Sequence, residues 1–260
     1  MAVTGGGNIS SASPHPSALP DGGTEKAPPA LDEQPRPRRR LVSNEAAYLL
    51  PMGAFLAFTA VGGHWPSLFV ASYIAKTLIT VVLLMVLWPH YTRIRWSYWW
   101  LGIILGVIGV VQWVGMERVL LHFWPHYHLL ESGPPFDPYQ QFHSPAAMWA
   151  FIAIRWAGAA LVVPVMEELF WRDYLWRTIA APADFKLAAV GEWDRGLPLL
   201  IVSVAFCTVH FEWLTAIGWG LMVGSLLVLT RSLGACIIMH GVTNFLLGLY
   251  VLMTHDWKFW

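Results

Sequence analysis

The sequence predicts an all-α fold: a polytopic transmembrane helix bundle of about seven spans, preceded by a disordered N-terminal tail. Three observations predict it. Hydrophobic residues make up 56% of the 260-residue chain and charged residues only 12%, about half the charged share of a soluble domain. Sixteen tryptophans are present, and indole favours the membrane–water interface. Apolar runs recur at lengths near the roughly 20 residues that a helix needs to cross the hydrocarbon core. In lipid the backbone must satisfy its own hydrogen bonds, which selects helices for such runs.

Residues 1–43 come first, with "GGGNISSASPHPSALPDGG" and then "KAPPALDEQPRPRRR". Pro, Gly and Ser dominate and little apolar surface is available for burial, so a disordered tail is expected, with the helical domain running from 44 to 260. The basic cluster lacks a preceding cleavable hydrophobic run and does not read as a signal peptide. Arg36, Arg38, Arg39 and Arg40 directly precede the first apolar segment, and the positive-inside rule puts that end in the cytoplasm.

The spans follow at 45–63, 66–88, 97–121, 145–170, 197–211, 213–230 and 232–254, delimited by hydropathy and by Pro and Gly. The connections "GGHWPS" and "HFWPHYHLLESGPPFDPYQQFHSP" contain no Lys or Arg. By contrast, "PHYTRIR" carries Arg93 and Arg95, the segment after span four carries Arg172, Arg177, Lys186 and Arg195, and Arg231 follows span six. This alternation predicts a multi-pass protein of a plasma membrane, bacterial inner membrane included, with its N-terminus inside and its C-terminus outside. Spans five and six are short, so either the bilayer thins around them or "HFEWL" forms a re-entrant corner. Net charge is zero, which gives no pull toward nucleic acid. Cys207 and Cys236 each lie in an apolar run and suggest neither a disulfide nor a cysteine-ligated metal.

Polar residues inside the spans carry the functional signal, since an ionisable group near the bilayer centre costs about 2.5–3.5 kcal/mol on insertion scales. In "VPVMEELFWRDYLWR" (163–177) adjacent helical residues diverge by about 100°. Glu168 and Arg172 share a face in the order that favours an ion pair, which leaves Glu167 free to face a cavity. Crowded, buried carboxylates suit general acid–base work, although an interfacial cluster snorkelling to water gives the same pattern. "FCTVH" places Phe206 and His210 one turn apart, and "HGVTN" does the same for His240 and Asn244. Each pair also has a plain reading as an interhelical polar contact. Gly241 permits close approach of a neighbouring backbone or a substrate. At about 1.5 Å per residue, Glu167 lies about 30 Å from the outer start of its span, His240 about 13 Å from Arg231 and His210 about 18 Å from Pro198. One water-filled cavity opening toward the cytoplasm is then expected. Lys76, Glu117, Arg118 and Arg155 are expected to form buried ion pairs joining spans two, three and four.

In order and spacing, "EELFWR", "FCTVH" and "HGVTN" resemble the EExxxR, FxxxH and HxxxN motifs of the CPBP (Abi) intramembrane proteases, a family that includes the type II CAAX prenyl endopeptidases. The aromatic loop before span four and the ending "HDWKFW" are similar to a bacterial, exosortase-associated branch. The resemblance implies an intramembrane endopeptidase acting on a membrane-associated, lipidated or CAAX-like protein. Glu167 and His210 would activate water, His240 and Asn244 would stabilise the oxyanion, and Glu168 and Arg172 would support them. A zinc ion held by Glu167, His210 and His240 fits a three-ligand open site, and the same residues also suffice for metal-free general-base catalysis. No HExxH is present. The alternatives are a catalytically inactive membrane scaffold or immunity-type protein of the same fold, and a proton-coupled carrier. A carrier predicts inverted repeats, which the sequence does not display.

Overall fold

The computed structural model describes residues 42–128, 135–194 and 196–260. The tail expected over 1–43 therefore lies outside the described residues except for its last two. Helix α1 spans Asn44–His64 and is capped by Ser43, whose hydroxyl accepts from the Ala46 amide at 3.2 Å. A turn at Pro66–Leu68 leads into α2, Phe69–Leu87, and α3 spans Trp99–Phe123. Helix α4 runs unbroken over Pro145–Ala180. Then come α5, Leu197–Cys207, α6, Trp213–Thr230, and α7, Leu233–Thr254. Among the described residues there is no strand, and six helices are long and apolar enough to cross a membrane. The chain is an integral, multi-pass membrane protein.

Two expected spans differ from the structure. Span four continues past 170 to Ala180, because the Arg172 and Asp173 side chains are buried and paired inside the bundle and do not end the helix. Span five is a helix of only 11 residues, about 16 Å long, too short to cross. It ends where the Thr208 hydroxyl turns back on the Ala205 carbonyl at 2.7 Å, and a turn through His210 and Glu212 joins it to α6. Ser203 lies against Gly220 and Leu199 against Gly224, so α5 runs antiparallel along the middle of α6. Below it the chain tucks in at Gly191, against the Leu227 carbonyl and Arg231, and the Glu192 carbonyl accepts from the Trp176 indole at 2.9 Å.

The helix ends form two faces. On one, the Tyr91 hydroxyl donates to the Ala47 carbonyl, Lys186 donates to the His90 carbonyl, and the Ser232 hydroxyl donates to the carbonyls of Arg95 and Ser97. Arg177 is bound there to Asp173, at 2.6 Å, and to Thr92, and Tyr48 donates to the same Asp173. On the opposite face the Trp213 indole donates to the Tyr127 carbonyl, Phe69 stacks on Phe136, and Tyr139 stacks on His255. Arg93, Arg95, Lys186 and Arg231 all belong to the first, basic face.

Helices α3 and α7 pack closely along a line of glycines. A Cβ at Gly102, Gly106 or Gly109 would meet α7 atoms at 2.5 Å, 2.6 Å and 2.5 Å. Such small residues let backbones approach where lipid supplies no hydrophobic drive between helices. The Thr243 hydroxyl uses that proximity to donate to the Gly106 carbonyl at 3.0 Å.

Candidate active site

The three motifs meet where α4, the α5–α6 turn and α7 converge. Helix α4 is widened into π-helical turns at Gly158–Val162 and Leu169–Leu175, on either side of Val163–Glu168. Such turns loosen the regular backbone ladder and recur at functional sites. Here the carbonyl of Ala159 accepts from Asn244 Nδ2 at 2.9 Å. A side chain at Gly241 would come 2.9 Å from the Ala160 carbonyl, so this glycine serves approach by a neighbouring helix. Asn244 and Gly241 together lock α7 onto the first π turn.

The ion pair inferred from spacing is present and does more than the spacing indicated. Glu168 and Arg172 are each 0% exposed, with Arg172 Nη1 donating to Glu168 Oε1 at 3.1 Å. The same oxygen accepts from His240 Nδ1 at 2.8 Å, which ties the first motif to the third. The guanidinium also lies over the rings of Phe206 and Trp219, at 4.8 and 5.5 Å from their centres. Glu168 is thus the shared anchor of Arg172 and His240.

Glu167 faces another way, as the helical geometry requires. It is 6% exposed and lines a cavity of about 240 Å³, and its Oε2 has no hydrogen-bond partner among the described residues. His210 lines the same cavity. Its Nδ1 lies 2.9 Å from the Phe206 carbonyl, and a carbonyl only accepts, so Nδ1 carries the proton and a neutral ring keeps its lone pair on Nε2. His240, Thr243 and Asn244 complete the polar wall, with Trp113, Phe206 and Trp219 between them. The sequence does not reveal Trp113 and Trp219 as part of this wall, since an aromatic in an apolar run carries no periodic signal for a cavity.

The direction of opening corrects the expectation. Rising from Glu167 and His240, the cavity ends among Phe211, Glu212, Lys258, Phe259 and Trp260, on the face opposite the basic loops. Depth along a helix says nothing about which wall is missing. Beneath the site Trp171, Trp176, Val223 and Leu226 are buried in the apolar core, whereas the short α5 and its turn leave the other side open.

The expected buried ion pairs do not form. Lys76 donates to Thr59 and sits over Phe55 and Tyr73. Arg155 lies over Phe69, Tyr73 and Trp260. Glu117 is bound by Tyr127, His128 and Thr215, and Arg118 by Tyr250 and Asp256. Aromatic faces and short polar side chains replace the carboxylates as partners for Lys76 and Arg155, because a ring quadrupole holds a desolvated cation.

No three of His, Cys, Asp and Glu among the described residues converge as a metal-binding group. Glu167, His210 and His240 share one cavity, and with Nδ1 of each histidine engaged by the Phe206 carbonyl or Glu168, Nε2 of each is left as the ring nitrogen that could meet a ligand there.

A family model described as "Type II CAAX prenyl endopeptidase Rce1-like" matches residues 148–246. That segment holds every acid, histidine and amide of the three motifs. No curated protein and no solved structure matches the chain.

Proposed function

We propose that this chain is an intramembrane endopeptidase with Glu167 as its general base, in keeping with the match of residues 148–246 to the type II CAAX prenyl endopeptidase Rce1-like family model. The observation that carries the reading is Oε2 of Glu167, without a hydrogen-bond partner among the described residues and buried at the wall of a cavity that it shares with His210. A water there donates one proton toward Glu167 and a second hydrogen bond to the lone pair of His210 Nε2. Its oxygen bonds to the scissile carbonyl carbon as the proton passes to Glu167. Asn244 has a second amide N–H beyond the one used by Ala159, and His240, oriented by Glu168, presents Nε2 to the same space. These are the donors proposed for the oxyanion, with Nε2 donating when the ring holds both protons. Collapse of the intermediate breaks the C–N bond, and the proton on Glu167 goes to the leaving amine. The side chains suffice for this route, and hydrolysis is expected to persist in the presence of a chelator.

The test is proteolysis in reconstituted membranes, with folded, inserted variants and a library of membrane-tethered peptides. Wild type is expected to cleave, while Glu167→Gln and His210→Ala lose about 10²–10⁴-fold in rate, the usual worth of a positioned acid–base group. Full activity in Glu167→Gln would remove it as the base. Retention of the wild-type cellular phenotype by Glu167→Gln would favour the inactive scaffold instead.

A further inference from the structure

The cavity and the charged loops lie at opposite ends of the bundle, and together they assign a side to the substrate. The basic end carries Arg93, Arg95, Lys186 and Arg231 beside the helix ends at Leu87, Trp99, Ala180 and Leu233. At the other end, residues 124–144 contain no Lys or Arg, and neither does the α5–α6 turn at 208–212. Lysine and arginine in short loops are retained on the cytoplasmic side. The mouth, framed by Phe211, Glu212, Lys258 and Trp260, belongs to this end, where Lys258 is the single Lys or Arg in the connecting and terminal segments 65–68, 124–144, 208–212 and 255–260.

From these two facts we infer that the site opens to the non-cytoplasmic surface and takes its substrate there. The occupant is a protein segment that has already crossed the membrane and is held at the outer surface by an apolar anchor. Phe211, Phe259 and Trp260 give the mouth an aromatic rim, which suits an apolar chain lying in the interface. A lipidated protein held at the cytoplasmic leaflet would meet the packed face beneath Trp171 and Trp176. The word substrate rests on the peptidase reading; the orientation does not.

The test labels introduced cysteines in sealed cells with a membrane-impermeant maleimide, with the unsubstituted chain, which carries Cys207 and Cys236, as background. Lys258→Cys and Trp65→Cys report the mouth face, and Leu187→Cys, at a position 79% exposed, reports the basic face. Labelling of the first two in sealed cells, and of Leu187→Cys only after permeabilisation, is the expected result. The reverse pattern, or labelling of all three in sealed cells, overturns the inference. A phosphatase that folds only outside the cytoplasm, fused after Trp260, is expected to be active, and its inactivity overturns the inference independently. In vesicles of known orientation, a peptide tethered on the mouth side is expected to be cleaved and one on the basic side spared. Cleavage only on the basic side overturns the inference. Cleavage on neither side, with labelling as expected, counts against the peptidase reading and leaves the orientation standing.

Discussion

Glu167 and Glu168 are neighbours in sequence with different surroundings, and the difference follows from 100° of helical rotation. Glu168 turns into the bundle, where Arg172 and His240 hold one oxygen. Removing that charge strands a buried guanidinium, so Glu168→Gln is expected to lower stability by about 3–5 kcal/mol, read as a fall in melting temperature in detergent. The double variant Glu168→Gln with Arg172→Met is expected to recover much of that stability and none of the hydrolysis, since His240 stays unanchored. Recovery of hydrolysis as well would remove the positioning role. Glu212 at the mouth offers a separate test. Burial raises its carboxyl above the usual range, so in the window between its unfolded and folded pKa the folded chain holds the extra proton. Its contribution is therefore most favourable at low pH and is lost as pH rises through the folded pKa. Glu212→Gln is expected to raise the melting temperature at neutral pH, by an amount that shrinks as the pH falls through the carboxylate range; a gain independent of pH would contradict this.

At the scale of elements, the site depends on how closely α7 can approach α3 and α4. Gly106 allows the first contact: an added Cβ would lie 2.6 Å from Val242, whereas one at Gly115 on the same helix meets nothing within 4 Å. Gly106→Ala is therefore expected to cost about 1–3 kcal/mol, the usual range for overpacking, and to reduce hydrolysis by displacing His240. Gly115→Ala is expected to change neither. Equal melting temperatures for the two variants would refute the close-packing argument. The i,i+4 pairing of Glu168 with Arg172 was legible from spacing alone. Asp173 with Arg177 has the same spacing and also pairs, but in the sequence Arg177 sits among the loop charges that report topology, where a positive residue needs no buried partner to account for it.

For the molecule as a whole, the short α5 matters most. A helix of 11 residues covers about half the hydrocarbon thickness, so the turn that carries His210 depends on how thick the surrounding bilayer is. Reconstitution in long-chain phosphatidylcholine is expected to lower both stability and hydrolysis relative to shorter chains, through hydrophobic mismatch at the mouth. Activity that is indifferent to acyl length would mean that α5 is shielded from lipid.

By itself the sequence determined the class of the protein, the order of the helices and the four-residue relations within them, because hydropathy and helical periodicity are local properties. It therefore placed Glu167 toward a cavity, paired Glu168 with Arg172, and grouped His210, His240 and Asn244 with them by motif. Only the tertiary structure decided that His240 leans on Glu168, that aromatic rings take the place of acids beside Lys76 and Arg155, and that the cavity opens away from the basic loops. Those outcomes depend on which helices touch and which wall is left unfilled. Contacts between residues 72 positions apart, such as Glu168 and His240, leave no periodic trace in a single chain.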